Sequence, residues 1–441
     1  MQNIGGRESP HPQPLPTRGR GLRRNLVGPY MSDRTPTQET TPESVPTAFP
    51  LWPLLATMAM QTLATMAAYS IPALAPMVAR DIGVDGALIG MFVSVVYGVG
   101  IISSLLAAGF IARYGAVRTA QFVLLCALGL VVVCAQGTAT SVALGALILG
   151  VAYGVTAPVS THLLVPRTPP SILNMVLSTR QIGVPLAGVL AATLMPPIAL
   201  AIGWKAGLLL QAIPIIALIL LLEIPRRAWD GTPAPVATNT KAVLVRSFGL
   251  LRGDSAMQRL TLASFVYSGA QLAFVAFMTV HVTSRTGLDL VTAGWALATY
   301  QSAGVISRPI FGWVADKFIP ARIMLGIQGF IMAAAALLAG HFAPGWPVWA
   351  IMAVAAVAGA TASGYTGLAY AEYARLGGAQ RTEATGLGSA AMFFGVLVMP
   401  SLGSVAITAT GSYLAAYGAI AVLAVIAGTV MLLPVRDVPG R

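Results

Sequence analysis

Charge is what this sequence lacks most. Only 9% of its 441 residues are Asp, Glu, Lys or Arg, whereas a soluble globule carries about a quarter. A chain with so few ionic groups cannot cover a water-facing surface, so it reads as a membrane protein. Acidic residues are the scarcest, 14 against 26 Lys and Arg, for a net charge of +12. The bases are scattered in short loops between apolar runs and form no patch, which excludes nucleic acid as a partner. Cysteine is nearly absent. Cys126 and Cys134 share one apolar run, about 12 Å apart along a helix and too far to join, so neither a disulfide frame nor a metal cluster is implied. No Walker-type phosphate loop occurs, so direct ATP use is unsupported and no cofactor is expected.

What the chain does have is apolar length, since 56% of its residues are hydrophobic. From residue 51 onward, uncharged stretches recur at about 20 residues, one bilayer crossing, or at twice that with a tight turn between. Single crossings are 51–79, 86–112, 260–284 and 290–315. The longer runs 119–165, 323–371 and 384–435 each fold back, and 171–203 and 206–222 supply spans five and six. Twelve spans result. The expected organisation is a cytoplasmic disordered tail (1–49), a six-helix bundle (50–225), a polar cytoplasmic linker (226–259), a second bundle (260–435) and a cytoplasmic tail (436–441). Residues 1–30 resemble translated intergenic repeat sequence of bacteria, and Met1 and Met31 both stay open as starts. Of the 26 basic residues, Arg180 and Arg308 fall inside spans and Arg80, Lys205 and Arg285 lie on one side; all others lie with the termini. This bias puts both termini in the cytoplasm of a multi-pass protein, expected in a bacterial inner membrane.

The two halves repeat. At an offset of 204 residues Gly83 meets Gly287, Asp85 meets Asp289, Gly90 meets Gly294, Gly100 meets Gly304, Ser103 meets Ser307 and Arg118 meets Arg322, without a gap. Two copies of a six-helix unit related by an axis along the membrane normal leave this trace. Coincidence among glycines that serve helix packing is the competing explanation.

Twelve spans, a basic linker after the sixth and a Gly-Asp-basic loop after the second and eighth resemble the major facilitator superfamily over residues 50–435. The second loop copy reads Gly312-Trp313-Val314-Ala315-Asp316-Lys317-Phe318 and ends at Arg322. The first, Gly109-Phe110-Ile111-Ala112-Arg113-Tyr114-Gly115 with Arg118 beyond, has Ala112 where the repeat calls for aspartate. The resemblance implies an all-α polytopic fold of two pseudo-symmetric six-helix bundles. It also implies a conformational latch among Gly312, Asp316, Lys317, Arg322, Arg113 and Arg118. Asp316 would sit against the positive start of span five, near Pro169-Pro170-Ser171; a solvated loop salt bridge is the plainer alternative.

A charge in the bilayer centre costs about 3 kcal/mol or more, so intramembrane ions are functional candidates. Arg180 and Arg308 are the two, about 14 and 11 Å from the cytoplasmic ends of their spans. No acidic side chain is expected near them. Two guanidiniums without protein counter-ions favour a bound anion, to which each offers a planar fork of donors; snorkelling toward water is the alternative. The segment from Arg180 and Gln181 to Gly188 is similar to span five of the cyanate-permease-like branch, and Ser307-Arg308-Pro309 to the Arg-Pro step of monocarboxylate transporters, although Gly304 stands where those carry an aspartate. Spans one, four, seven and ten line the cavity in this family, which nominates Tyr69, Tyr153, Tyr267, Gln271 and Tyr365, with Gln61, as further contacts. The expected function is secondary transport of a small anionic solute, an organic carboxylate or an inorganic anion, by alternating access. A coupling proton or counter-anion stays open, and the chain is expected to be a monomer and no enzyme. Efflux of drugs or other hydrophobic solutes, and a transport-inactive membrane sensor, are the alternatives.

Overall fold

The computed structural model describes residues 48–84, 86–230 and 240–434. The expectations for nearly all of the first tail, for the middle of the linker and for the last tail lie outside the described residues. Span one is α1 (Leu51–Ala73) continued by α2 (Ala75–Ile82), and spans two and three are α3 (Gly86–Tyr114) and α4 (Ala116–Cys134). Span four is α5 (Ala139–Tyr153) with α6 (Thr156–Leu164), and span five is α7 (Leu173–Arg180) with α8 (Gly183–Ile202). Span six is α9 (Trp204–Leu210) with α10 (Ala212–Glu223). The described residues of the linker hold α11 (Arg226–Asp230) and α12 (Thr240–Gly253). Spans seven to twelve are α13 (Ser255–Thr286), α14 (Leu290–Lys317), α15 (Ala321–Gly340), α16 (Val348–Gly377), α17 (Arg381–Thr410) and α18 (Tyr413–Leu432).

Among the described residues ten segments are long and apolar enough to cross a membrane; one of them, Val348–Thr410, is two helices, and α14, which carries Arg308, Asp316 and Lys317, is not among the ten. Twelve crossings follow. The first half is interrupted in spans one, four, five and six, and each break falls two to four residues before a proline: Pro76, Pro158, Pro185 and Pro214. Proline has no N–H for the carbonyl four residues back, and its ring crowds that carbonyl. In the second half α14 and α17 run unbroken through Pro309 and Pro400.

Each half closes on its own apolar core, one containing Leu124, Leu130 and Leu149, the other Phe274, Tyr300 and Tyr417. The repeat is visible in local geometry. Gly83 and Gly287 end their helices at φ of 69° and 73°, a left-handed turn open to glycine. Ser103 Oγ donates to the Gly150 carbonyl at 3.0 Å, and its counterpart Ser307 Oγ to the Ala360 carbonyl at 3.0 Å.

The halves meet tightly at the face that carries the linker. There α14 packs closely on α7, while toward the far face it barely touches α8. Glycines set the distance of approach. A Cβ on Gly312 would lie 2.5 Å from Met175 Cα, and one on Gly367 would lie 2.1 Å from Ser178 Cα. Both obstacles are backbone and cannot swing aside. Gly367→Ala is therefore expected to disfavour this closed face by about 1–3 kcal/mol, a 5- to 150-fold change in the ratio of states. Spin labels at Arg113→Cys and Lys317→Cys, both exposed on this face, should report a longer mean distance in the alanine variant; an unchanged distribution would count against the contact.

Candidate functional site

Beyond the closed face, between the halves, lies a cavity of about 580 Å³. Arg180 and Arg308 both line it, although they are only 2% and 1% exposed. The proline rule explains how they meet. Pro185 cannot donate to the Gln181 carbonyl, so span five breaks after Arg180 and that carbonyl accepts only a long bond from the Val184 N–H, at 3.3 Å. Arg308 Nη1 fills the vacancy from the other half at 2.6 Å. Arg308 also donates from Nε to the Ser363 carbonyl at 3.1 Å and from Nη2 to Ser363 Oγ at 2.9 Å. Arg180 donates from Nη2 to Gln61 Oε1 at 3.0 Å and to the Thr156 carbonyl at 2.8 Å, and from Nη1 to Gln181 Oε1. Its Nε is buried without a partner. Each guanidinium thus hangs on a backbone carbonyl of its own half, from span four or span ten.

Every one of these acceptors is uncharged. Among the described residues the ion pairs are Arg118 and Arg226 with Glu223, Lys205 with Asp81, and Arg375 with Glu372; none involves Arg180 or Arg308. Among the described residues no Asp or Glu lines the cavity. Hydrogen bonds hold the two cations in place without neutralising them, and a site of this kind attracts negative charge while repelling cations.

Of the other nominated contacts, Gln181, Tyr69, Tyr153, Gln271 and Tyr365 line the cavity, as does Gln61. Tyr69 and Tyr97 hydroxyls meet at 3.0 Å, and Tyr153 Oη lies 3.4 Å from Gln61 Nε2 and 3.0 Å from Thr65 Oγ1. Tyr267 is not brought to the cavity. Its hydroxyl donates to the Leu325 carbonyl at 3.0 Å, and its ring backs that of Tyr365 edge-on at 5.4 Å. The cavity stripe of α13 runs through Ser268, Gln271, Leu272 and Val275, and one residue off a helical stripe is turned about 100° away. Tyr97 and Ser94 of α3 and Met392, Phe393 and Val396 of α17 line the wall as well. Expecting only spans one, four, seven and ten beside the arginines missed them. The one sequence hint was Gly100, where a Cβ would meet the Phe393 ring at 3.2 Å.

Of the six latch residues, two join the halves. Asp316 accepts from the Asn174 N–H at 3.0 Å, from Asn174 Nδ2 at 2.8 Å and from the Met175 N–H at 2.9 Å, with Gly312 packed against the same turn. The partner is the first turn of α7, at the start of span five and a few residues past Pro169-Pro170-Ser171, because prolines have no N–H to offer and the free amides of a helix are those of its first turn. The four bases stay in their own halves or in solvent. Arg118 pairs with Glu223, Arg113 lies over the Tyr114 ring, Arg322 donates to the Leu433 carbonyl and Lys317 is exposed. The first copy has Ala112 in place of that carboxylate; another pair crosses between the halves, His162 Nδ1 and Thr382 Oγ1 at 3.1 Å.

Known proteins resemble this chain in family and in fold. The Major Facilitator Superfamily profile matches residues 57–338 and 260–441. The chain is similar to the probable nitrate/nitrite transporter NarK2 of Mycobacterium tuberculosis, 33% identical over 79 residues, which cover 17% of this chain and 19% of that protein. It is 26% identical to the 4-hydroxybenzoate transporter PcaK of Pseudomonas aeruginosa over 310 residues, 61% of this chain and 65% of that one. The chain therefore spans less than two thirds of the length of either relative. Among solved structures, the human organic anion transporter MFSD10 superposes with a TM-score of 0.66 at 14% identity, covering 87% of this chain and 100% of that one, a likeness of fold.

Proposed function

The chain belongs to the Major Facilitator Superfamily, and from that premise we propose that it is a secondary carrier for a small anionic solute, working by alternating access. The observation that carries this reading is the pair of buried guanidiniums, one from each bundle, lining one cavity with no acidic neighbour among the described residues. An anion placed between Arg180 and Arg308 receives charge-assisted donors from both halves and so ties occupancy to their relative motion. The Gln181 carbonyl holds Arg308 in this structure and is displaced as the anion arrives. The nitrate/nitrite and 4-hydroxybenzoate relatives, by their names, carry anions, which supports the same reading. The charge bias supports a linker face on the cytoplasmic side of the membrane, expected to be a bacterial inner membrane. The cavity, sealed on that face by Asp316 and the glycines, then faces outward.

The test is flux. Purified protein in proteoliposomes is expected to accumulate labelled benzoate or nitrate saturably when a gradient is imposed, with each competing against the other. Uptake no faster than in protein-free liposomes for all anions offered would overturn the proposal.

A further inference from the structure

The cavity has room for more than a four-atom inorganic anion, at about 580 Å³ with its open approach included. Cavities of some 300–1000 Å³ fit organic ligands and use few polar groups to orient them. Here the two cations converge on Gln181, Arg180 on its side chain and Arg308 on its carbonyl, and Arg180 also reaches Gln61, while other polar side chains such as Ser94 and Gln301 line the rest of the wall. Beside the cations stands a set of rings. Tyr97 lies edge-on to Tyr153 at 5.5 Å and to Phe393 at 5.0 Å, and Tyr153 and Phe393 stack at 5.8 Å with their planes 26° apart. Tyr153 Oη and Arg180 Nη2 both reach the side chain of Gln61, at 3.4 and 3.0 Å. One amide therefore separates the ring cluster from the cationic end, a gap suited to a compact molecule with a carboxylate at one end and a flat body at the other.

Resting on the reading of this cavity as an anion site, we propose that its cargo is an aromatic monocarboxylate, with the carboxylate between Arg180 and Arg308 and the ring against Tyr97, Tyr153 and Phe393. The rings divide between the bundles as the guanidiniums do: Tyr97 and Tyr153 belong to the first, Phe393 to the second. Phe393 packs over Gly100, where a Cβ would lie 3.2 Å from its ring. A flat apolar body gains face and edge contacts there that a hydrated inorganic ion or a short aliphatic acid does not make. Both ends of the cargo then report to both bundles, which gives the ring a part in closure as well as in affinity.

The experiment measures binding of sodium benzoate, acetate and nitrate to the purified full-length protein, in parent, Phe393→Leu and Phe393→Tyr forms. Benzoate is expected to bind the parent at least about 30-fold more tightly than acetate or nitrate. Phe393→Leu should weaken benzoate about tenfold and leave acetate and nitrate unchanged, while Phe393→Tyr, which keeps the ring, should restore benzoate binding. Nitrate or acetate binding as tightly as benzoate, or Phe393→Leu weakening all three alike while Phe393→Tyr rescues none, overturns the aromatic cargo and leaves the anion site standing. Binding of none of the three, with or without Arg180 and Arg308, would instead remove the anion site on which the inference rests.

Discussion

Arg308→Gln should abolish saturable anion uptake while leaving the protein folded and inserted. Removing one partner of a desolvated charged contact costs about 2–5 kcal/mol, roughly 30- to 5000-fold in affinity. Among the described residues, however, Arg308 is a buried cation with only Ser363 and the Gln181 carbonyl as hydrogen-bond partners. Taking an uncompensated buried charge away is close to neutral, or stabilising, for a fold. The two effects therefore separate. The variant should melt no lower than the parent without ligand, and ligand should no longer raise its melting temperature. Were Arg308 a structural residue, the unliganded variant would melt lower and the ligand-induced rise would persist. Arg308→Lys keeps the charge but not the planar fork and should retain only part of the binding.

Asp316→Asn should shift the carrier toward the state open at the linker face. The carboxylate takes three donors, two of them main-chain amides at the positive start of α7. Asparagine keeps one acceptor oxygen and loses the charge, a change of about 2–4 kcal/mol when charge-assisted bonds become ordinary ones. That corresponds to a shift of roughly 30- to 1000-fold in the ratio of the two states. The first half has no second carboxylate to compensate, because its loop has Ala112, and His162 with Thr382 is an uncharged pair of side-chain contacts by comparison. The same label pair at residues 113 and 317 reads the result as a longer distance, and an anion should still bind. Unchanged distances would mean that the glycine contacts alone hold the face shut.

The spans could be read from the sequence because lipid forbids charge, so the scarcity of ionic groups marks them almost by itself. Arg180 and Arg308 stood out for the same reason: an ion in an apolar run has few explanations. The repeat was legible where geometry demands glycine, at Gly83 and Gly287. What escaped depends on which way a side chain turns. Tyr267 and Ser268 are neighbours in sequence, yet only the second faces the cavity. Apolar helices carry little moment to fix their faces, and when every side is hydrophobic the sequence does not say which side meets water. The break in span five was written in Pro185, four residues past Gln181, but the use made of the freed carbonyl depends on Arg308, 127 residues further on. The latch bases misled for a related reason, since long basic side chains in a tight loop find whatever acceptor is nearest, and for Arg118 and Arg322 that lay in their own half.

Thermal unfolding of the parent and of an Arg180→Gln/Arg308→Gln double variant, across benzoate, nitrate, cyanate and the neutral isostere benzamide, tests the anion site most directly. A ligand at 100 times its dissociation constant stabilises the state that binds it by about 2.7 kcal/mol. At least one anion should therefore raise the melting temperature of the parent and none that of the variant, with benzamide inert toward both. Benzamide stabilising the parent as strongly as any anion, or the anions stabilising both proteins equally, would contradict the claim that two uncompensated guanidiniums select what this cavity takes.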